Sequence, residues 1–164
     1  MTVPRPDIAP SHSFSLTPAR AGENETPRSN LLFDAALTGV TVPGVVLEAQ
    51  YRCGELHLLL TTENIPYEEA LHVLLLDARF NLLDQVELSH PYASGALTDL
   101  QQHGDGRLQF SLFGGDRWEL AVLPTPRRLT MDEAPTGVRG RLRRLLAPRW
   151  LAVKRLQVAT GAQT

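Results

Sequence analysis

Short runs in which hydrophobic and polar residues alternate fill the stretch from Gly44 to Leu123. A period of two residues is typical of strands that bury one face, and residues that favour turns separate the runs. About seven runs are present, and no long helical pattern occurs before residue 125. The pattern therefore predicts an all-β domain, an antiparallel sandwich or partly open barrel of about seven strands.

The first hairpin of this stretch can be aligned from its pattern. Residues 45–62 form two alternating runs on either side of Cys53-Gly54. A two-residue loop there places Tyr51 opposite Leu56, so that apolar side chains share one face. A slip of one residue would mix the two faces, so the turn and the pattern predict the same register.

The last two hairpins follow the same logic. A three-residue loop at Gly104-Asp105-Gly106 aligns Leu100 with Phe110, and its final glycine takes the left-handed conformation that such loops need. A three-residue loop at Gly114-Gly115-Asp116 aligns Phe110 with Leu120. Core positions predicted in this way include Phe110 and Trp118.

The middle hairpin, formed by residues 70–77 and 81–89, is less regular. Consecutive leucines place apolar side chains on both faces of these two runs. Strands with two apolar faces are typical of sheets that are covered on both sides. We therefore expect a covered hairpin, and the pattern leaves its register open.

The composition divides the chain into four segments. Prolines, serines and threonines without an apolar run mark the first segment, and prolines mark the connection after the strands. We expect an extended or disordered arm (1–30), a β-sandwich domain (31–124), a proline-containing linker (125–137) and a basic amphipathic helical tail (138–158). Near the first boundary, residues 30–39 fit either a short two-turn helix that ends at Gly39 or an edge strand.

Charge is distributed unevenly along the chain. Residues 125–164 carry nine basic and two acidic side chains, net +7, whereas residues 1–124 carry seven basic and sixteen acidic side chains, net −9. At helical spacing the tail has an apolar face and a basic face. Its basic candidates for binding an anionic surface are Arg139, Arg141, Arg143, Arg144, Arg149, Lys154 and Arg155. Its apolar candidates for docking are Leu142, Leu145, Leu146, Trp150 and Val153.

Candidate chemistry outside the tail is sparse. His57 and His72 could join Glu55 and Glu87 in a metal site, but the spacings typical of histidine metal ligands are missing. Cys53 is the sole cysteine, which excludes an internal disulfide and a multi-cysteine metal site. We predict no catalytic residues, no metal site and no cofactor.

The tail carries the main functional signal, and two interpretations of it stand level. In one, its leucines pack on the sandwich and its arginines face solvent. In the other, it docks on an acidic partner, while the sandwich folds without it. The second interpretation predicts a non-enzymatic interaction or assembly protein that binds a partner protein, or a second copy of itself, through residues 138–158.

Two other functions stay open. A small β-barrel could bind a small molecule or a metal, and could be an enzyme, through its histidines and carboxylates. The tail could instead bind nucleic acid or an anionic membrane surface, although Trp150 is its only aromatic residue for base stacking.

The location of the protein can also be predicted from the pattern. The sequence has no basic start followed by an apolar run, and it has no apolar span of about 20 residues. We therefore expect a cytoplasmic protein.

Overall fold

The computed structural model describes residues 5–65, 69–89, 96–112, 116–128, 138–140 and 148–156, with the backbone alone for 138–140. All regular secondary structure in these ranges is β-structure. The prediction of an all-β antiparallel sandwich is therefore confirmed, and the described strands do not close into a barrel.

Thirteen strands occur in the described residues. They are β1 (Ile8–Pro10), β2 (Phe14–Pro18), β3 (Arg28–Phe33), β4 (Ala36–Pro43), β5 (Val46–Cys53), β6 (Leu56–Thr62), β7 (Ala70–Leu76), β8 (Leu82–Ser89), β9 (Thr98–His103), β10 (Arg107–Leu112), β11 (Asp116–Arg127), β12 (Val138–Gly140) and β13 (Arg149–Leu156). The predicted strands correspond to β5 through β11, and the sequence pattern missed the strands at both ends of the chain.

The described strands form three antiparallel sheets. The central sheet has the order β1-β5-β6-β7-β8-β12. The C-terminal sheet has the order β13-β11-β10-β9, and the N-terminal sheet has the order β2-β3-β4. Two apolar clusters separate them, one on each face of the central sheet.

Strands β6 and β7 explain why the central sheet is covered on both faces. Leu58 and Leu60 join the cluster that includes Phe110 and Trp118 of the C-terminal sheet. Leu59, between them in sequence, joins the opposite cluster with residues of the N-terminal sheet. Every residue of β7 is buried, so the expectation of a strand covered on both sides is confirmed for β7. Strand β8 instead alternates between buried and half-buried residues.

The first predicted hairpin has the predicted faces but a different register. Tyr51 pairs with Leu58 rather than with Leu56, because Cys53 is itself paired and the loop is Gly54-Glu55. Gly54 has a φ of 62°, and a glycine with positive φ in the first loop position is what a type II′ turn requires. The register is shifted by two residues, which leaves the side chains from Ala49 to Leu60 on their predicted faces. Leu47, predicted to share the face of Ala49 and Tyr51, lies beyond a β-bulge and joins the opposite cluster.

The two later hairpins differ from prediction in related ways. The loop Gly104-Asp105-Gly106 is confirmed. At the end of this hairpin away from the loop, however, a β-bulge offsets Leu100 from Phe110. Phe110 pairs with Trp118 rather than with Leu120, again a shift of two residues. Both aromatic side chains are nevertheless buried, as predicted.

The segment 30–39 is a β-hairpin, so the helical alternative is wrong. Phe33 pairs with Ala36, and the turn between them has Asp34 at a φ of 48° and Ala35 at 65°. Two successive residues with positive φ define a type I′ turn, which fits the twist of a hairpin and breaks a helix. The alternative of an edge strand holds only for β4, because β3 is the central strand of the same sheet.

The predicted N-terminal arm contributes to the sheets. Strand β1 pairs with β5 at one edge of the central sheet, and Gln102 of β9 donates a hydrogen bond to the carbonyl oxygen of Ile8 at 3.0 Å. Strand β2 pairs with β3. Residues 5–30 therefore close one edge of the sandwich and start the N-terminal sheet.

The prediction of a helical tail is wrong for the residues that the structure describes. Strand β12 pairs with β8 at the edge of the central sheet. Strand β13 pairs with β11 at the edge of the C-terminal sheet. Leu151 and Val153 face the core in alternation, and this period of two competes with the helical spacing read from the sequence. Residues 141–147 lie outside the described ranges. Strand β11 also extends to Arg127, so the predicted linker begins inside a strand.

We expect Phe110→Ala and Trp118→Ala each to lower the free energy of unfolding by about 3–5 kcal/mol, because removing a buried aromatic ring leaves a cavity. Urea unfolding followed by far-UV circular dichroism measures the loss. Gln101→Ala, at an exposed position of β9, is the control and should change stability by less than about 0.5 kcal/mol. Unchanged midpoints for both aromatic variants would show that these rings do not fill the core.

Candidate functional site

The C-terminal strands meet β8 at one edge of the sandwich, which we call the basic edge and define by Arg127, Arg128, Arg139 and Arg149. The backbone of Arg139 in β12 pairs with Glu87 of β8. Arg149 pairs across strands with Arg127 and approaches the carbonyl oxygen of Gln85 with its Nη2 atom at 3.4 Å. The topology thus gathers at one place basic residues that are far apart in sequence.

Asp84 of β8 holds the start of β13 at this edge. Its Oδ2 atom accepts hydrogen bonds from the backbone N–H groups of Trp150 and Leu151, each at 3.0 Å. The Nε atom of Arg149 lies 3.3 Å from the same oxygen. The Asp84 side chain is only 6% exposed, so these interactions act in surroundings with little water to screen them.

Two arginines predicted to bind a partner are instead bound to acids of the same chain. Arg149 faces Asp84, and Arg155 donates a hydrogen bond to Asp116 at 2.7 Å. Lys154 is exposed and lies beside Glu119 in the register of β13 with β11. This arrangement matches the interpretation in which the tail packs on its own sandwich.

The apolar docking candidates of β13 also belong to the sandwich. Trp150 and Val153 are half-buried against the core cluster. Leu151 is 1% exposed, although the sequence prediction did not select it. Its alternation with Val153 was the signal that could have revealed a strand.

The other predicted tail candidates lie outside the described residues. They are Arg141, Leu142, Arg143, Arg144, Leu145 and Leu146. The structure does place the two strands that flank them, since Gly140 pairs with Val86 and Trp150 is bonded to Asp84. The described residues on either side of 141–147 therefore both contact β8.

Arg127 and Arg128 are exposed basic residues that the prediction assigned to the linker. They lie at the end of β11, and Arg127 is directly opposite Arg149. The excess of basic residues after position 125 included them, but only the strand pairing shows that they join the basic edge.

The four residues considered for a metal site, His57, His72, Glu55 and Glu87, do not come together in one place. His72 is 2% exposed, pairs across strands with Glu87 and places its Nε2 atom 2.7 Å from Oε1 of Glu63. His57 instead lies among phenylalanine rings, and Glu55 is in an exposed turn. Within the described ranges, no group of three or more His, Cys, Asp or Glu side chains could hold a metal ion.

Cys53 is 1% exposed, at the end of β5. Burial raises the pKa of its thiol to about 12, because the thiolate would lose its hydration. At neutral pH the side chain is therefore a thiol, which is a poor nucleophile and a poor metal ligand.

No protein-family model, curated protein or solved structure matches this chain. In the described part of the chain, no helix has the length and hydropathy needed to cross a lipid bilayer. The function must therefore be inferred from the residues and their arrangement.

We expect Asp84→Asn to lower the free energy of unfolding by about 3 kcal/mol, because the neutral side chain no longer balances Arg149 and its one oxygen cannot replace both carboxylate oxygens. One of these accepts the N–H groups of Trp150 and Leu151, and the other accepts that of Gln85. Thermal and urea unfolding measure the loss. Asp99→Asn, at an exposed site of β9, is the matched control and should change stability by less than about 0.5 kcal/mol. Equal midpoints for the two variants would contradict a stabilising role for Asp84.

We expect a thiol reagent to modify Cys53 in the native protein at pH 8 at least about 100-fold more slowly than in urea, because the native side chain is buried and protonated. Mass spectrometry of quenched samples measures both rates, with Cys53→Ala as the unreactive control. Rapid labelling of the native protein would show that β5 exposes its thiol.

Proposed function

We propose that this protein is a non-enzymatic interaction or assembly protein, an adaptor that docks on an acidic partner protein through its basic edge. The proposal keeps the tail residues selected from the sequence and replaces the predicted helix by strands β12 and β13. The flanking segment 141–147 contributes Arg141, Arg143 and Arg144 in this proposal.

The cross-strand pair of Arg127 and Arg149 is the observation that carries the proposal. Like charges placed directly opposite each other destabilise a sheet. Asp84 compensates Arg149, whereas Arg127 and its neighbour Arg128 are exposed. A sequence selected for stability alone has no reason to keep these charges together, and a requirement for binding an anionic surface supplies one.

The charge distribution favours a partner that is acidic. Arg127 and Arg128 are exposed positive charges at this edge, and residues 125–164 together carry a net charge of +7. Complementary fields raise association rates and fix orientation. A second copy of the chain fits this requirement, since residues 1–124 carry a net charge of −9. A different acidic protein fits it equally.

A protein partner is favoured over nucleic acid. Proteins that bind single-stranded nucleic acid present aromatic side chains on which bases stack. Trp150 is the one aromatic residue of 138–158, and it packs partly buried against the core. Cytoplasmic location stays part of the proposal, in keeping with a single, buried cysteine.

The charge reversal Arg127→Glu with Arg128→Glu tests this proposal without disturbing the ion pairs of Asp84 and Asp116. The matched control reverses Arg20 and Arg79, which are exposed elsewhere on the molecule. Both double variants change the net charge equally. Deleting the tail is not a suitable test, because it removes β13 from the sandwich.

The full-length protein is first purified from its native cell with its bound partner, which is identified and then titrated against the variants. We expect the basic-edge variant to lose about 10-fold in affinity at low salt, with a smaller loss at high salt, because exposed charges are screened. The control variant should bind like the wild type. Equal binding by both double variants would contradict the proposal. Tighter binding of duplex DNA or anionic vesicles than of any protein would also contradict it.

A further inference from the structure

A cluster of four rings joins the N-terminal sheet to the central sheet. His57 of β6 lies 5.0 Å from the ring of Phe14, 5.8 Å from Phe33 and 5.9 Å from Phe80, measured between centroids. Phe14 and Phe33 belong to the N-terminal sheet, and Phe80 belongs to the turn between β7 and β8. We call these four residues the histidine cluster.

Few other contacts hold this end of the N-terminal sheet. The side-chain amide of Gln50 accepts a hydrogen bond from the backbone N–H of Phe14 and donates one to its carbonyl oxygen, at 2.8 and 3.0 Å. The backbone N–H of Ser11, just before β2, donates a further hydrogen bond to the carbonyl oxygen of Gln50 at 3.0 Å. Apolar side chains fill the rest of this interface, so its closure depends in part on keeping the histidine cluster apolar.

His57 has no acidic side chain in the cluster that would stabilise a positive charge. Its Nδ1 atom is buried and has no hydrogen-bond partner among the described residues. Burial lowers the pKa of His57, and the positive charge of Arg52, its cross-strand neighbour, lowers it further. Stacking on Phe80 offers an imidazolium some attraction and acts against these two effects.

The acids nearest to His57 do not act as its partners. The field of Asp77 raises the pKa of His57, but this is the weakest of the three effects. Both carboxylate oxygens of Asp77 already accept hydrogen bonds from Arg79 and Asn81. From the N-terminal sheet, the titratable groups beside the cluster are His12 and Asp34, which flank the strands of Phe14 and Phe33 and are exposed.

His72 shows the contrasting arrangement on the same face of the central sheet. Its Nε2 atom lies 2.7 Å from the carboxylate of Glu63, which can balance a charge on the ring. The buried His72 therefore has an acid as a hydrogen-bond partner, whereas the half-buried His57 has none and lies among phenylalanine rings beside Arg52.

We propose that protonation of His57 opens the N-terminal sheet away from the central sheet, so that this interface is an acid-sensitive switch. In the closed state the ring is neutral. In the open state it is solvated and takes up a proton at its ordinary pKa of about 6.5. The pKa of His57 is lower in the closed state than in the open state. The closed state therefore has its full stability at pH values above about 6.5 and loses stability as the pH falls below that.

Hydrogen exchange at pH 7 and pH 5, corrected for the intrinsic rates, tests the proposal on the full-length protein. We expect amides of β2 to β4 to open several-fold more at pH 5 than at pH 7, with an upper limit of about 25-fold set by the solvated pKa. Amides of β7 and β10 should change much less. His57→Phe should abolish the effect, because it fills the same space with a ring that does not titrate.

His12→Phe, at an exposed site, is the matched control and should leave the pH dependence as in the wild type. If His57→Phe fails to fold, an NMR titration of wild-type His57 replaces it, and a midpoint below 6.5 with shifts at Phe14 and Phe33 would support the switch. A pH dependence retained in His57→Phe, equal opening of all three sheets or a His57 midpoint at or above 6.5 would overturn it.

Discussion

The central sheet has apolar side chains on both faces, and the remaining architecture follows from the need to cover them. Leu58 and Leu59 are adjacent in β6, point to opposite faces and are each 0% exposed. Burying one such side chain contributes about 1.5–3 kcal/mol, so an uncovered face of this sheet would cost much of the stability of a domain. One face is covered by the C-terminal sheet and the other by a hairpin and a short strand from the N-terminal part of the chain.

The sequence was sufficient to predict strands β5 to β11 and most of their buried faces, but not their pairing or the strands at the two ends of the chain. A pattern with a period of two residues is unchanged when a strand shifts by two, so Tyr51 faces the core whether it pairs with Leu56 or with Leu58. The turn decides between these registers, and the preference of a type II′ turn for Gly54 at its first position was the missing information. Bulges, such as the one beside Leu100, leave no comparable local signal.

The candidate site was predicted in composition but not in structure. Leucines and arginines after residue 138 fit a helical face and a strand almost equally well, and the choice depends on distant partners. For β13 those partners are β11 and the carboxylate of Asp84, which no local window of sequence can relate to Trp150. The same ion pairs that hold β13 in place leave Arg127 and Arg128 as the charges open to a partner.

The hydrogen bond from the backbone N–H of Leu151 to Asp84 joins residues that are 67 positions apart in the sequence, which affects how the chain folds during synthesis. Contacts between distant residues close large loops, which makes folding slow. During synthesis, β8 leaves the ribosome long before β13 does, and the C-terminal sheet lacks its edge strand until residue 156 has emerged. The apolar face beneath Leu151 is exposed for that time, and transiently exposed apolar surface makes a folding intermediate prone to aggregation.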